Sequence, residues 1–237
     1  MKLLALYFAL FVPFGLWGKP QLEEIIGVYR GLHSPFGVTF DNQGNSYIAE
    51  YLGGRILKLD TAGKLHTLSG NKQKGYAGDG MQAKQGVFNC MHNVVWASNQ
   101  VLYVSDTHNN LIRKIDLKTN RLSTIAGIPN QKGFSGDGGP AKNAKLDTPI
   151  SISLTPDEKT LLIADISNSR IRGVDLSSGI IRTVAGNGMR GKPMDNRSAL
   201  EQPLIGPRAA VMDHSGNLFI LERNGHALRV VRPNGKI

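Results

Sequence analysis

Short runs of hydrophobic residues alternate with polar turns along most of the chain, and one combination of runs occurs four times. It consists of an apolar run that ends in an acidic residue, a polar turn and a second apolar run. The four copies are SYIAEYLGGRILKLD, VLYVSDTHNNLIRKID, LLIADISNSRIRGVD and LFILERNGHALRVV. Their acids occupy positions 50, 106, 165 and 222, so the spacings are 56, 59 and 57 residues. A near-constant period predicts a protein built from near-identical units.

A further run precedes each copy, and another follows the first three copies. The preceding runs are residues 36–40, 92–96, 150–154 and 208–212, and the following runs are residues 66–70, 123–127 and 182–186. Short runs rich in Val, Ile, Leu and Tyr, separated by Gly, Asn and Asp, are typical of strands joined by hairpins. Four antiparallel strands per unit predict an all-β fold, a β-propeller of four-stranded blades. The repeat units are about 32–71, 88–127, 146–186 and 203–237.

The repeated segments resemble the NHL-repeat family of β-propellers. The segments that carry the resemblance are YVSDTHNNLIRKID, LIADISNSRIRGVD, RTVAGNG and GFSGDGGPA. The resemblance covers essentially all of the chain after residue 18 and implies NHL-type blades. The first and fourth copies depart from the pattern, because they carry Glu50 and Glu222 in place of Asp and glycines in the following turn.

The ends of the chain leave two arrangements of the blades open. The fourth unit stops before its outer strand, and residues 22–27 align with the strand that it lacks. An N-terminal strand over 22–27 would complete the last blade and close a four-bladed ring, which would hide the edges of the sheet. In the alternative arrangement the chain is the front part of a larger ring, since the NHL-type domains that it resembles commonly have six blades.

The N-terminus predicts export. Lys2 precedes a nearly uninterrupted apolar segment over residues 3–17, and Gly18 offers a small residue for cleavage. This pattern is typical of a signal peptide over residues 1–18, followed by a secreted or periplasmic propeller over 19–237. An uncleaved N-terminal anchor is the alternative, and no later segment is apolar enough to span a membrane. Cys90 is the only cysteine among the 237 residues, so the chain has no intramolecular disulfide.

Charge and repetition separate structural residues from candidate functional residues. The formal net charge is +10, but much of the positive charge recurs as Arg55, Arg113, Arg172 and Arg229. We expect these arginines on the solvated faces of strands, where they can pair with the repeated acids. A residue type that recurs at one place in every blade performs the same local task, so the four acids are interpreted as structural. Glycine-rich segments 74–80 and 132–141 are interpreted as crossovers between blades, since they lack the ending of a phosphate-binding loop.

Functional residues should instead break the repeat, at the mouth of the central channel where the inner strands begin. The matched positions that differ most in chemistry predict a binding site that consists of His33, Phe36, Asn89, His92, Asn93, Asp147 and Arg208. Imidazole and carboxylate groups suit zinc and similar ions, so His33, His92 and Asp147 are weak candidates for a metal site. No G-x-S-x-G segment or other nucleophile motif is present.

These features predict a binding scaffold whose channel face presents Arg208, His92 and Asn93 to a protein or glycan, without a cofactor. The alternative is a metal-dependent hydrolase or lyase of a small molecule, because the fold resembles the lactonase propellers and the NHL-like amidating lyases, which hold a metal in the channel. The lactonase pattern of acids and asparagines has no residue-by-residue match in this sequence. Nucleic-acid binding ranks last, since the signal peptide directs the chain out of the cytoplasm. The sequence does not determine an oligomeric state.

Overall fold

The structure is a computed structural model that describes residues 29–237. These residues form fifteen β-strands. The strands are β1 Pro35–Phe40, β2 Ser46–Glu50, β3 Ile56–Leu59, β4 Leu65–Ser69, β5 Asn93–Ala97, β6 Val101–Asp106, β7 Leu111–Asp116, β8 Arg121–Ala126, β9 Pro149–Leu154, β10 Thr160–Asp165, β11 Arg170–Asp175, β12 Ile181–Ala185, β13 Pro207–Met212, β14 Leu218–Glu222 and β15 Ala227–Val231. Single 3₁₀ turns occur at Ala83–Gln85, Thr107–Asn109, Ala141–Asn143 and Ile166–Asn168.

The strands form four antiparallel sheets in chain order, which confirms the all-β propeller with four blades. Blades 1 to 3 consist of β1–β4, β5–β8 and β9–β12, and blade 4 has the three strands β13–β15 among the described residues. The strand predicted over residues 22–27 and the signal segment 1–18 lie outside the described residues. Within 29–237, no helix has the length and apolar character needed to cross a bilayer.

Three hydrophobic cores lie between successive blades. Side chains of blade 1 such as Ala49 and Ile56 share the first core with Val94 and Leu102 of blade 2. The second core joins blades 2 and 3, and the third joins blades 3 and 4. The inner strands therefore pack in the order β1, β5, β9, β13. Over residues 29–237, β13 does not pack against β1 in this way, so these residues alone do not close the ring.

The four repeated acids fix the loops that lead into the inner strands. Oδ1 of Asp106 accepts a hydrogen bond from the backbone N–H of Asn89 at 2.7 Å, and Asp165 accepts one from Asp147 at 2.8 Å. Glu50 and Glu222 bind the matching amides in blades 1 and 4. The structural interpretation of the acids is therefore confirmed.

The prediction that the repeated arginines lie on solvated strand faces was wrong. The side chains of Arg113 and Arg172 are 0% exposed, and those of Arg55 and Arg229 are only 14% and 17% exposed. Arg113 lies 3.2 Å from Asp106 and 2.8 Å from Asp79, which belongs to the preceding crossover loop. A second acid, distant in sequence, thus compensates the buried guanidinium.

Arg172 repeats this arrangement in blade 3 with Asp165 and with Asp137 of its own crossover loop. Burial raises the pKa of both Asp106 and Asp165 to about 6, while their hydrogen bonds and the nearby arginines act in the opposite direction. Both carboxylates are fully buried and bonded to protein groups, so they serve the blade and offer no surface to a ligand.

Blades 2 and 3 differ from blade 4 in how they fill the space beside the acid. In blade 2, Nδ2 of Asn109 donates to Asp106 at 2.8 Å and to the crossover carbonyl of Gly75 at 2.6 Å. Blade 4 has Gly225 at this position, and a Cβ placed there would lie 2.8 Å from Oε2 of Glu222. In blade 4 the longer side chain of Glu222 thus occupies the space that Asn109 occupies beside Asp106 in blade 2.

Candidate ligand-binding site

The same backbone turn begins each inner strand and presents one side chain at the channel mouth. One residue shortly before each inner strand has a left-handed conformation, with φ between 52° and 60° at Ser34, Cys90, Thr148 and Gly206. In blades 1 and 4 the strand pairing then shifts by one residue, directly after Pro35 and Pro207. Such a bulge re-aims the side chain that it leaves unpaired. The matched residues at this end of the four strands are Phe36, His92, Ile150 and Arg208.

A second set of side chains lies beside the first. In blade 1 the backbone N–H of Tyr51 donates to the carbonyl of Ser34 at 2.8 Å, and in blade 4 that of Arg223 donates to the carbonyl of Gly206 at 3.2 Å. The residue that follows each acid therefore lies beside the turn that leads into the inner strand. The matched residues of this second set are Tyr51, Thr107, Ile166 and Arg223. The mouth is therefore aromatic in blade 1, polar in blade 2, aliphatic in blade 3 and cationic in blade 4.

Aromatic rings join blades 1 and 2 at the mouth. The ring of His92 lies edge-on to Phe36 and to Tyr51, with centroid distances of 4.7 Å in both cases. Tyr51 also faces His108 at 6.1 Å. Edge-to-face contacts at these distances are favourable. Phe36 is 56% exposed, so one side of this cluster remains open to a ligand.

His92 is held in the neutral form. Its Nδ1 lies 2.9 Å from Oγ1 of Thr107, and the Thr107 hydroxyl donates to the carbonyl of Pro149 at 2.8 Å. The hydroxyl has one hydrogen, so Nδ1 must be the donor to Oγ1. Burial and then the positive charge of Arg208 lower the pKa of His92 to about 4, against the effect of the Cys90 carbonyl. His92 therefore connects the aromatic and cationic parts of the mouth without carrying charge near neutral pH.

Arg208 and Arg223 form the cationic part. Neither guanidinium forms a hydrogen bond or an ion pair with residues 29–237. Burial, followed by the positive charge of Arg223, lowers the pKa of Arg208. Arg223, Asn224 and His226 line a cleft of about 470 Å³. This arrangement suits a negatively charged group.

The structure brings together only some of the predicted site residues. Phe36, His92 and Arg208 meet at the mouth, whereas Oδ1 of Asn93 accepts a bond from the backbone of Ile152 and so connects blades 2 and 3. His33, Asn89 and Asp147 bind the repeated acids through their backbone amides.

The weak candidate metal site is not supported by the geometry. Nδ1 of His92 is engaged with Thr107, and Asp147 accepts a bond from the adjacent Thr148 hydroxyl. Over the described part of the chain, no three His, Cys, Asp or Glu side chains lie close enough to share a metal ion. The residues proposed from the sequence, His33, His92 and Asp147, therefore do not fit a metal in the channel.

Sequence reasoning missed Tyr51, Thr107 and Arg223. All three follow a repeated acid, at a position where the four copies differ as much as they do at Phe36 and its equivalents. Comparison of that position across the copies was the signal that could have identified them.

No family model matches the chain. NHL repeat-containing protein 2 from Gallus gallus is 26% identical over 219 residues, which cover 83% of this chain and 29% of that protein. Teneurin-1 from Gallus gallus is 42% identical over 83 residues, which cover 30% of this chain and 3% of that protein. The chain thus spans less than a third of the length of these relatives.

Solved structures give the same fold. An auxiliary nutrient binding protein from Bacteroides thetaiotaomicron has a TM-score of 0.63 and 20% identity, with 82% of this chain and 46% of that chain covered. A gluconolactonase from Xanthomonas campestris has a TM-score of 0.57 and 17% identity, with coverages of 85% and 59%. A streptogramin B lyase has a TM-score of 0.56 and 15% identity, with coverages of 85% and 52%. The chain is an NHL-type β-propeller, and its structural neighbours include both binding proteins and enzymes.

Proposed function

We propose that this chain is a binding module and that its channel mouth binds an acidic glycan. The observation that carries the proposal is that the guanidinium groups of Arg208 and Arg223 form no hydrogen bond or ion pair with residues 29–237, while Arg208 acts electrostatically on His92, which is in ring contact with the exposed Phe36. Arginine binds carboxylate, sulfate and phosphate groups through paired hydrogen bonds. An aromatic ring can pack against the apolar face of a sugar. Ligand sites typically combine a mostly apolar surface with a few polar groups that orient the ligand.

We also propose that the protein acts outside the cytoplasm. The sequence pattern of residues 1–18 supports export, and the likeness of the fold to a Bacteroides nutrient binding protein is in keeping with it. A net charge of +10 would also attract polyanions over long distances, and salt would weaken this attraction.

The enzyme alternative requires a different arrangement of residues. A metal-dependent hydrolase or lyase would need ligands at the channel, and the three candidates from the sequence do not converge there. Elemental analysis of the purified chain separates the two functions, because a stoichiometric divalent metal would favour the enzyme.

Titration with oligogalacturonate, with the neutral maltooligosaccharide of equal length as the comparison, tests the proposed site. Arg208→Gln should weaken binding of the acidic ligand at least tenfold, since about 1.4 kcal/mol corresponds to that factor and a charged hydrogen bond contributes about 1.5 to 3 kcal/mol. Arg182→Gln is the matched control, because Arg182 is an exposed residue of the outer strand β12. Equal losses in the two variants would mean general charge attraction and would contradict a site at the mouth.

A further inference from the structure

An asparagine is followed directly by a glycine at three places in the chain. The pairs are Asn187-Gly188, Asn224-Gly225 and Asn234-Gly235. In such a pair the backbone nitrogen of glycine can attack Cγ of the asparagine side chain, because no Cβ on the glycine restricts the approach. Hydrogen bonds that hold the side-chain amide or the attacking nitrogen must break before the reaction. The fold therefore determines which of the three pairs can react.

Two of the pairs are held by hydrogen bonds. Nδ2 of Asn187 donates to the carbonyl of Glu201 at 2.7 Å, and its Oδ1 accepts a bond from a backbone N–H at 2.9 Å. In the last pair the attacking nitrogen is engaged, since the N–H of Gly235 donates to the carbonyl of Arg232 at 2.8 Å. Oδ1 of Asn234 also accepts a backbone bond at 3.1 Å. Both pairs are thus fixed in arrangements that oppose the attack.

The pair in blade 4 has no such restraint. Neither the side chain of Asn224 nor the backbone N–H of Gly225 forms a hydrogen bond with residues 29–237. Asn224 is exposed. The residues at the same distance from the repeated acids, His108 and Ser167, are also exposed, although blades 2 and 3 have a neighbouring blade on each side. Exposure at this position is therefore a property of the turn.

We infer that Asn224 is a site of spontaneous deamidation that changes the charge of the channel mouth. The nitrogen of Gly225 forms a bond to Cγ of Asn224, the bond from Cγ to Nδ2 breaks, and ammonia leaves with the proton of the glycine amide. A water molecule then opens the cyclic imide at either carbonyl, which leaves aspartate or isoaspartate. The adjacent Arg223 favours the reaction, because its positive charge stabilises the anions that form on the nitrogen and oxygen.

Deamidation introduces a carboxylate into the proposed ligand site. Asn224 lines the cleft of about 470 Å³ together with Arg223 and His226. The new negative charge opposes the positive charge of Arg223 and repels an acidic ligand. This consequence rests on the proposed function, whereas the reaction itself does not. The mouth should thus lose affinity for acidic glycans as the protein ages.

Peptide mass spectrometry of the folded chain, incubated at mildly alkaline pH, tests the reaction. Asn224 should deamidate at least about fivefold faster than Asn187 and Asn234, because each of those pairs must first break hydrogen bonds. The same incubation in concentrated urea is the control, and there all three pairs should react at similar rates. A folded chain in which Asn224 reacts no faster than the other two would contradict the inference.

Titration of fresh and incubated protein with oligogalacturonate tests the consequence. Asn224→Asp, which mimics one product, should bind about fivefold more weakly than the fresh unmodified chain. Asn224→Gln is the control for ageing, since the longer side chain disfavours ring closure and its affinity should not change during incubation. Unchanged affinity after conversion of Asn224 would contradict the effect on the mouth. A fresh chain that does not bind would overturn the glycan proposal and this effect together, while the mass measurement still decides the deamidation.

Discussion

At the scale of single residues, the position in the repeat separates structural from candidate functional side chains. Asp106 and Arg113 recur in blade 3 and hold the crossover loop to the blade, whereas His92 has no counterpart of its own type. His92 is also the residue through which the aromatic and cationic parts of the mouth meet. Burial keeps His92 neutral, so the protonation of this residue connects the stability of the fold to pH.

Replacement of His92 by Asn should reduce the loss of stability on acidification. The pKa of this histidine falls from 6.5 to about 4 on folding, so between these values the unfolded chain binds a proton that the folded chain does not. Protonation then favours unfolding as the pH falls from 6.5 to 4, by at most about 3 kcal/mol. Urea unfolding at pH 7 and pH 4.5 measures the change.

The comparison uses the difference between variants, because the raised pKa values of Asp106 and Asp165 act in the opposite direction over the same range. His226→Asn is the control, since His226 is exposed and should keep the pH dependence of the unmodified chain. An equal pH dependence in all three proteins would contradict a buried neutral His92.

Local patterns explain which of the sequence predictions were correct. The role of the acids followed from their recurrence, but the burial of Arg113 did not, because an arginine within I-R-K-I-D reads locally as an outward residue. Its compensating partner, Asp79, lies 34 residues earlier, and no strand periodicity reports that contact. Convergence of Phe36 with His92 likewise depends on the packing of two blades.

At the scale of elements, each blade combines its acid with a turn that fits it. Blades 2 and 3 use Asp with Asn three residues later, and blades 1 and 4 use Glu with Gly at that position. The departures from the repeat that the sequence revealed at Glu222 and Gly225 are therefore one coordinated change. The two residues should depend on each other energetically.

A double-mutant cycle on blade 4 tests this dependence. Gly225→Asn alone should destabilise the fold by about 1 to 3 kcal/mol, because its side chain overlaps the Glu222 carboxylate. Glu222→Asp alone should cost about 2 kcal/mol, as it weakens the bonds to Ile205 and Arg229. The double variant recreates the combination of blade 2, so we expect a favourable coupling of about 1 kcal/mol or more.

Denaturant unfolding of the four proteins gives the coupling. Glu222→Asp combined with Leu200→Ala is the control pair, because Leu200 is a half-exposed residue of the crossover loop. Its effects should add. Additive effects in the Glu222 and Gly225 pair as well would show that the two departures arose without a structural connection.

At the scale of the whole molecule, stability should vary along the row of blades. Within residues 29–237, blades 2 and 3 are covered on both faces, whereas Val38 of blade 1 and Leu228 of blade 4 each lie on an apolar face that these residues leave exposed. In repeat structures each unit depends mainly on its neighbours, so units with one neighbour open more easily. The four blades were predicted correctly from the sequence. The difference in stability between them was not, because it depends on packing between blades, which the repeat pattern does not show.

Hydrogen exchange of dilute protein should reveal the unevenness. Backbone amides of β6, β7, β10 and β11 should exchange at least about tenfold more slowly than those of β14 and β15, a difference of about 1.4 kcal/mol. Equal protection of all four blades in dilute solution would contradict this difference in stability between blades.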